Sequence, residues 1–144
     1  MQTQSDTFTT FIASPKRIVT PIRLINSVSH REVLIDGIWD TGAEHSAILK
    51  STSLFLDLPV LSERSHAQGL AGSVSGRVAL TVALPGDARH GIIVEVFEVD
   101  RLPDNFDFVI GMDIISQGDL SIVHVEDRLQ LQFRFGPKFF MLDV

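Results

Sequence analysis

Leu34-Ile35-Asp36-Gly37-Ile38-Trp39-Asp40-Thr41-Gly42-Ala43 reads as a strand that ends at Trp39 and runs into a turn of small residues. The turn sets the Asp40 carboxylate at the tip of a rigid element, where a site is held accurately. Gly42 permits close backbone approach, and the N–H groups beside it suit hydrogen bonds to that carboxylate. Thr41 adds a hydroxyl that can lock the turn. Asp and Gly are also ordinary turn formers, so the tripeptide by itself leaves a plain β-turn equally open.

Outward from this segment the patterning keeps a period of two. Val78, Leu80, Val82 and Leu84 alternate with Arg77, Thr81 and the small Ala79 and Ala83. Leu129, Leu131, Phe133 and Phe135 alternate with Arg128, Gln130, Gln132 and Arg134. Both read as half-buried strands. Ile92 to Val99 is apolar almost throughout, as a strand covered on both faces is. Ile18 to Ile25 and Val33 to Trp39 are further strands, joined by the polar turn from Asn26 to His30. Helical signal is scarce: the spacing predicts one or two turns in Lys50 to Leu58 and another in Gly111 to Gln117, stopped by Gly118. Pro85-Gly86-Asp87 and Leu102-Pro103-Asp104-Asn105 are turns between strands. The expected architecture is a small all-β domain, a closed barrel or sandwich, with one short helix near its C-terminal end. Residues 16–136 form that domain; residues 1–15 read as a flexible N-terminal arm and residues 137–144 as a C-terminal extension.

Composition narrows the classes of function. A chain of 144 residues suits one domain, and 44 % hydrophobic against 21 % charged residues supports a packed core. The net charge of −6, with no cluster of Lys or Arg, argues against a nucleic-acid partner. Cysteine is absent, which excludes a disulfide framework, a thiol nucleophile and a thiolate metal site. The N-terminus lacks the basic start and apolar run of a signal peptide, and no stretch approaches the roughly 18 apolar residues of a membrane span. The chain therefore reads as soluble and cytoplasmic. His30, His45, His66, His90 and His124 show no metal-ligand spacing, so neither a metal nor a cofactor is expected. No Gly-x-Ser-x-Gly elbow and no phosphate-binding loop occurs.

A second segment changes the weight of the first. Phe106-Asp107-Phe108-Val109-Ile110-Gly111-Met112-Asp113-Ile114-Ile115 is an apolar strand, a glycine, and an acidic residue opening a short helix. With Asp40-Thr41-Gly42-Ala43 upstream and a glycine-bearing hairpin, Ser65 to Arg77, between them, the chain resembles the retroviral-type (retropepsin-like) aspartic peptidases from about Ile18 to Phe135. The resemblance implies a closed, barrel-like acid-protease fold working as a homodimer. It implies that Asp40, Thr41 and Gly42 form the catalytic turn and that Ala43 and Glu44 contact substrate. The hairpin would be a flap, with Gly69, Leu70, Ala71, Gly72 and Ser73 over the substrate and its tip near Ala71-Gly72-Ser73; an ordinary surface hairpin is the competing reading. Ile110, Gly111 and Asp113 would support the turn. Three departures stand out: a longer stretch between Ala43 and the hairpin, Met112 where viral members carry an interface arginine, and residues 136–144 beyond the usual closing strand.

Peptide hydrolysis by carboxylates needs a pair that shares a proton: one activates water and the other polarises the scissile carbonyl. The chain holds one Asp-Thr-Gly turn, so the second carboxylate is expected from a two-fold partner, Asp40 facing Asp40. The resemblance adds Thr41 hydroxyls reaching across the axis and chain ends that interleave at the interface. Substrate would be an extended polypeptide paired with the flap. The rival is a dimeric β-domain of the same fold that binds peptides or protein partners without cutting them.

Overall fold

The computed structural model describes residues 6–14, 16–62, 74–84 and 90–142. Strands dominate, and six of them close on themselves. Around the barrel run β2 (Val19–Ile25), β3 (Glu32–Trp39), β8 (Phe108–Ile110), β4 (Ala47–Leu49), β7 (His90–Val99) and β6 (Val74–Leu84), with β6 returning to β2. Among the described residues two short strands are attached to the barrel, β5 (Val60–Ser62) on β6 and β11 (Phe140–Met141) on β7. Pro21 is tolerated in β2 because β6 pairs only with Arg23, Leu24 and Ile25, beyond the proline that lacks an N–H. A second, three-stranded sheet lies against the barrel in the order β1 (Thr7–Ile12), β10 (Arg128–Phe135), β9 (Gly118–Val125).

The period-two patterns become burial. Val78, Leu80, Val82 and Leu84 are all in the core, as are Leu131 and Phe133, while Leu129 and Phe135 pack against it half-buried. Phe133 ties the two sheets together. Its ring lies 5.3 Å from that of Trp39 on β3, 5.9 Å from Phe135 and 5.5 Å from Phe139. Removing it leaves a cavity where barrel and sheet meet. Phe133→Ala is expected to cost about 3–5 kcal/mol, read as a fall in the denaturant midpoint.

Both chain ends depart from the expected arms. Thr7–Ile12 is a strand paired with β10 from Thr7↔Arg134 to Ile12↔Leu129. Phe8 and Ile12 fall on its inward face and are buried, so two apolar anchors hold what polarity alone suggested was loose. At the other end Phe139 is buried against Phe133 and Phe135, and Phe140 pairs with Gly91. The expectation for Ile92 to Val99 also needs correction. Val96–Val99 is buried, whereas Ile93 and Glu95 are exposed on an outer face. Among the described residues two short α-helices form. Lys50–Leu56 (α1) ends where Asp57 turns left-handed at φ 53°, and Asn26 Nδ2 donates to Leu56 O and Asp57 O, satisfying the last carbonyls. Met112–Ile115 (α2) is the short helix expected near the C-terminal end. The turn expected at Pro85-Gly86-Asp87 lies outside the described residues. No helix among the described residues is long and apolar enough to cross a membrane.

His90 joins β6, β7 and β11 and stacks on Phe135 at 4.3 Å. Its Nδ1 is buried and has no hydrogen-bond partner among the described residues. Burial pushes its pKa below the ordinary 6.5, with Asp6 pulling weakly the other way. The unfolded chain therefore takes up this proton more readily than the folded one. Stability is unaffected above about pH 6.5 and falls as pH drops below it toward the depressed folded value. Between pH 7 and pH 5.5 the denaturant midpoint should fall further for wild type than for His90→Phe, which keeps the stacked ring and has nothing to protonate.

Candidate active site

The turn after β3 is held from three sides. Trp39 donates its backbone N–H to Ile18 O at 2.8 Å and its ring Nε1–H to the buried Thr20 Oγ1 at 2.8 Å. β3 and β8 run parallel with Trp39 opposite Ile110, and Asp40 donates its N–H to Ile110 O at 2.9 Å. Asp40 thus leaves the barrel at the point where β3 and β8 end together. Within the turn, Gly42 N–H donates to Asp40 Oδ1 at 2.9 Å and Ala43 N–H to Asp40 O at 3.2 Å. The carboxylate is oriented by backbone, and Asp40, Thr41, Gly42 and Glu44 are exposed, with Ala43 half-buried.

The second segment grips the first. Met112 N–H donates to Ala43 O at 2.7 Å and Asp113 N–H to Glu44 O at 3.2 Å. Gly111 is required by this contact: a Cβ there would stand 2.7 Å from the backbone carbon of His45 and 2.9 Å from Ala43 O. The Asp113 carboxylate accepts from Ser46 N–H at 2.9 Å, Ser46 Oγ–H at 2.6 Å and Ile114 N–H at 2.9 Å. Ser46 Oγ in turn accepts from Gly111 N–H at 2.9 Å. A closed ring of Ser46, Gly111 and Asp113 therefore clamps the chain after the turn onto the start of α2.

Seven of the residues read from sequence, Asp40, Thr41, Gly42, Ala43, Glu44, Gly111 and Asp113, meet here, with Ile110 buried beneath them. Gly69, Leu70, Ala71, Gly72 and Ser73 lie outside the described residues, and so does the flap tip. His45 meets the Phe97 ring edge-on at 5.1 Å. Met112, expected from the resemblance to stand where viral members carry an arginine, is 37 % exposed. Among the buried polar residues that escaped the sequence reading, Ser46 and Thr20 bear on this turn. Ser46 had a signal: it is the one polar residue entering the apolar run Ala47-Ile48-Leu49. Ser46→Ala leaves Asp113 and Gly111 N–H short of partners. A loss of about 1–3 kcal/mol is expected, measured by chemical denaturation.

Among the described residues no group of three or more His, Asp or Glu is placed to hold a metal ion. The arrangement offers an exposed carboxylate fixed at a rigid turn, with Gly42 N–H donating to its Oδ1.

No protein-family model matches the sequence, and no curated protein matches it. Solved structures do. A retropepsin-like aspartic protease from Rickettsia conorii superposes with a TM-score of 0.58 at 16 % identity, covering 94 % of this chain and 99 % of that one. EIAV protease, solved with an inhibitor, gives 0.53 at 17 % identity over 74 % of this chain and 92 % of the other. The retroviral protease-like domain of Ddi1 from Leishmania major gives 0.50 at 20 % identity over 82 % and 94 %. At such identities the likeness is one of fold: the chain has the retropepsin-like fold.

Proposed function

We propose that this protein is a cytoplasmic aspartic endopeptidase, active as a homodimer that brings two Asp40 carboxylates together. The observation that carries the reading is the clamped turn: an exposed carboxylate, oriented by Gly42 N–H and locked to Ile110, Gly111 and Asp113. A turn serving only to reverse the chain needs no such anchoring on both sides. With two copies of Asp40 facing each other, one proton is shared, because like charges a few Å apart do not both ionise. The ionised carboxylate takes a proton from water, and the protonated one donates to the scissile carbonyl oxygen. Thr41 fixes the paired turns, Ala43 and Glu44 bind the substrate backbone, and the segment Gly69 to Ser73 covers it.

The contact between chains is supported by the three-stranded sheet. β1 is paired with β10 of its own chain, and the outermost residues expected to interleave, 1–5 and 143–144, lie outside the described residues. β9 pairs only with β10 among the described residues, so its other edge is open, and Ile122 and Val123 along it are exposed. β9 also follows α2 closely, with two residues between the helix end at Ile115 and the strand start at Gly118. A second copy adding its β9 there would bury an edge that is otherwise a liability.

Cleavage of an unfolded protein at mildly acidic pH, followed by mass spectrometry of the products, tests the reading. Specific fragments that vanish with Asp40→Asn support it. Peptide binding with no cleavage, unchanged by Asp40→Asn, favours the non-catalytic module instead.

A further inference from the structure

β7 is paired along its whole length with β6 on one side, from Leu84↔His90 to Val74↔Val99. On the other side it is paired only at its ends, with β11 at His90 and Gly91 and with β4 from Phe97 to Val99. Between those ends no strand lies against it among the described residues. Phe97 donates its N–H to Ser46 O at 3.1 Å, which fixes the direction of backbone groups at that position. Direction alternates along a strand, so Glu95 and Ile93 share it and turn their N–H and C=O groups to the open stretch. A groove of about 310 Å³ lies there, lined by these two residues and by His45, Asp113, Gln117 and Lys138.

We propose that this groove is an accessory substrate site, taking an extended stretch of the polypeptide outside the catalytic cleft as an added strand on β7, between β4 and β11. The proposal rests on the peptidase reading for its claim that the guest is substrate. Continuity supports that source. His45 lies on the segment leaving the Asp40 turn, and Asp113 in the groove is the residue clamped to Ser46 behind that turn. At roughly 3.3 Å per residue, Gly91 to Phe97 spans about 20 Å, and its unpaired middle admits about three or four extended residues. The outer face sets their chemistry. Ile93 is 63 % exposed although apolar, and Glu95 beside it on the same face is an exposed acid. Cross-strand neighbours complementary to that pair are an apolar and a basic side chain two residues apart. Asp113 adds a second acid to the lining, and Lys138 a single base.

The test compares a peptide that the enzyme cleaves with the same peptide extended by Thr-Val-Thr-Lys-Thr, which puts an apolar and a basic side chain two residues apart on one face, or by Thr-Val-Thr-Glu-Thr. For wild type the lysine extension should lower KM about two- to fivefold relative to the glutamate one. Glu95→Arg should reverse that preference. Ile93→Pro removes a groove-facing N–H while leaving the β6 ladder intact, and should abolish the gain from either extension. Neither variant should change kcat/KM for the unextended peptide. An extension effect indifferent to both variants overturns the proposal, as does equal damage to the unextended peptide by folded variants. A binding measurement separates the two readings: the Thr-Val-Thr-Lys-Thr peptide alone is titrated into Asp40→Asn protein and backbone amides are followed by NMR. Shifts at Ile93 and Glu95 in a protein that cleaves nothing as wild type would sink the peptidase reading and keep the peptide groove. Cleavage by wild type with no shift at these amides would sink the groove alone.

Discussion

Asp40→Asn protein should fold and dimerise like wild type yet lose cleavage by at least about 10²- to 10⁴-fold, the range that a positioned proton-transfer group supplies. The two halves of that expectation come from different atoms. Asn keeps an oxygen where Asp40 Oδ1 now accepts from Gly42 N–H, and the backbone bonds from Asp40 to Ile110 and from Ala43 to Asp40 do not involve the side chain. The turn therefore survives, and thermal unfolding and sedimentation should match wild type. The amide cannot take a proton from water at any working pH, so the chemical step fails while peptide still binds. Wild-type rates in pure Asp40→Asn protein would end the carboxylate mechanism. Lost cleavage with a lowered denaturant midpoint would instead point to a damaged turn. Activity should also be higher at mildly acidic than at alkaline pH, since the pair must keep its shared proton.

How much of this was legible in the sequence depends on the range of the interaction. The alternating faces of β6 and β10 are written in consecutive residues, and Leu80, Val82, Leu131 and Phe133 are buried as their spacing predicts. The two segments of the site were legible for the same reason: each is a contiguous strand-and-turn signal. Their meeting was not. That Gly111 must lack a side chain follows from the His45 backbone, which an added Cβ would meet at 2.7 Å, a fact about packing between distant segments. Ser46 was missed because a lone serine before an apolar strand is common, and only its bonds to Asp113 and Gly111 give it a role. The N-terminal arm misled for a related reason. Its polar composition hid that Phe8 and Ile12 share one face and find β10 more than a hundred residues later. In β7 the mostly apolar run Ile92 to Val96, broken only by Glu95, masked an outer face on which Ile93 and Glu95 are exposed.

The sharpest consequence of a shared site is its response to mixing. If each site takes one Asp40 from each chain, one Asp40→Asn subunit disables the whole dimer, since a lone carboxylate has no partner with which to share a proton. Wild-type and Asp40→Asn protein are mixed at fixed total concentration and allowed to exchange subunits. With random pairing only dimers of two wild-type chains act, so activity follows the square of the wild-type fraction, about one quarter remaining at equal amounts. A site complete within one chain would keep about one half under the same symmetry argument. Dilution gives an independent reading, because specific activity should fall as the dimer dissociates by mass action, whereas a self-sufficient chain is indifferent to it. The open β9 edge makes the two readings testable together. Charges of one sign placed on Ile122 and Val123, which are exposed and outside the clamp, should shift the dilution curve to higher concentration by opposing edge pairing. Activity at saturating concentration should then return. Linear loss of activity in mixtures whose exchange has been verified by mass spectrometry of the heterodimer would overturn the shared site, whatever the fate of β9.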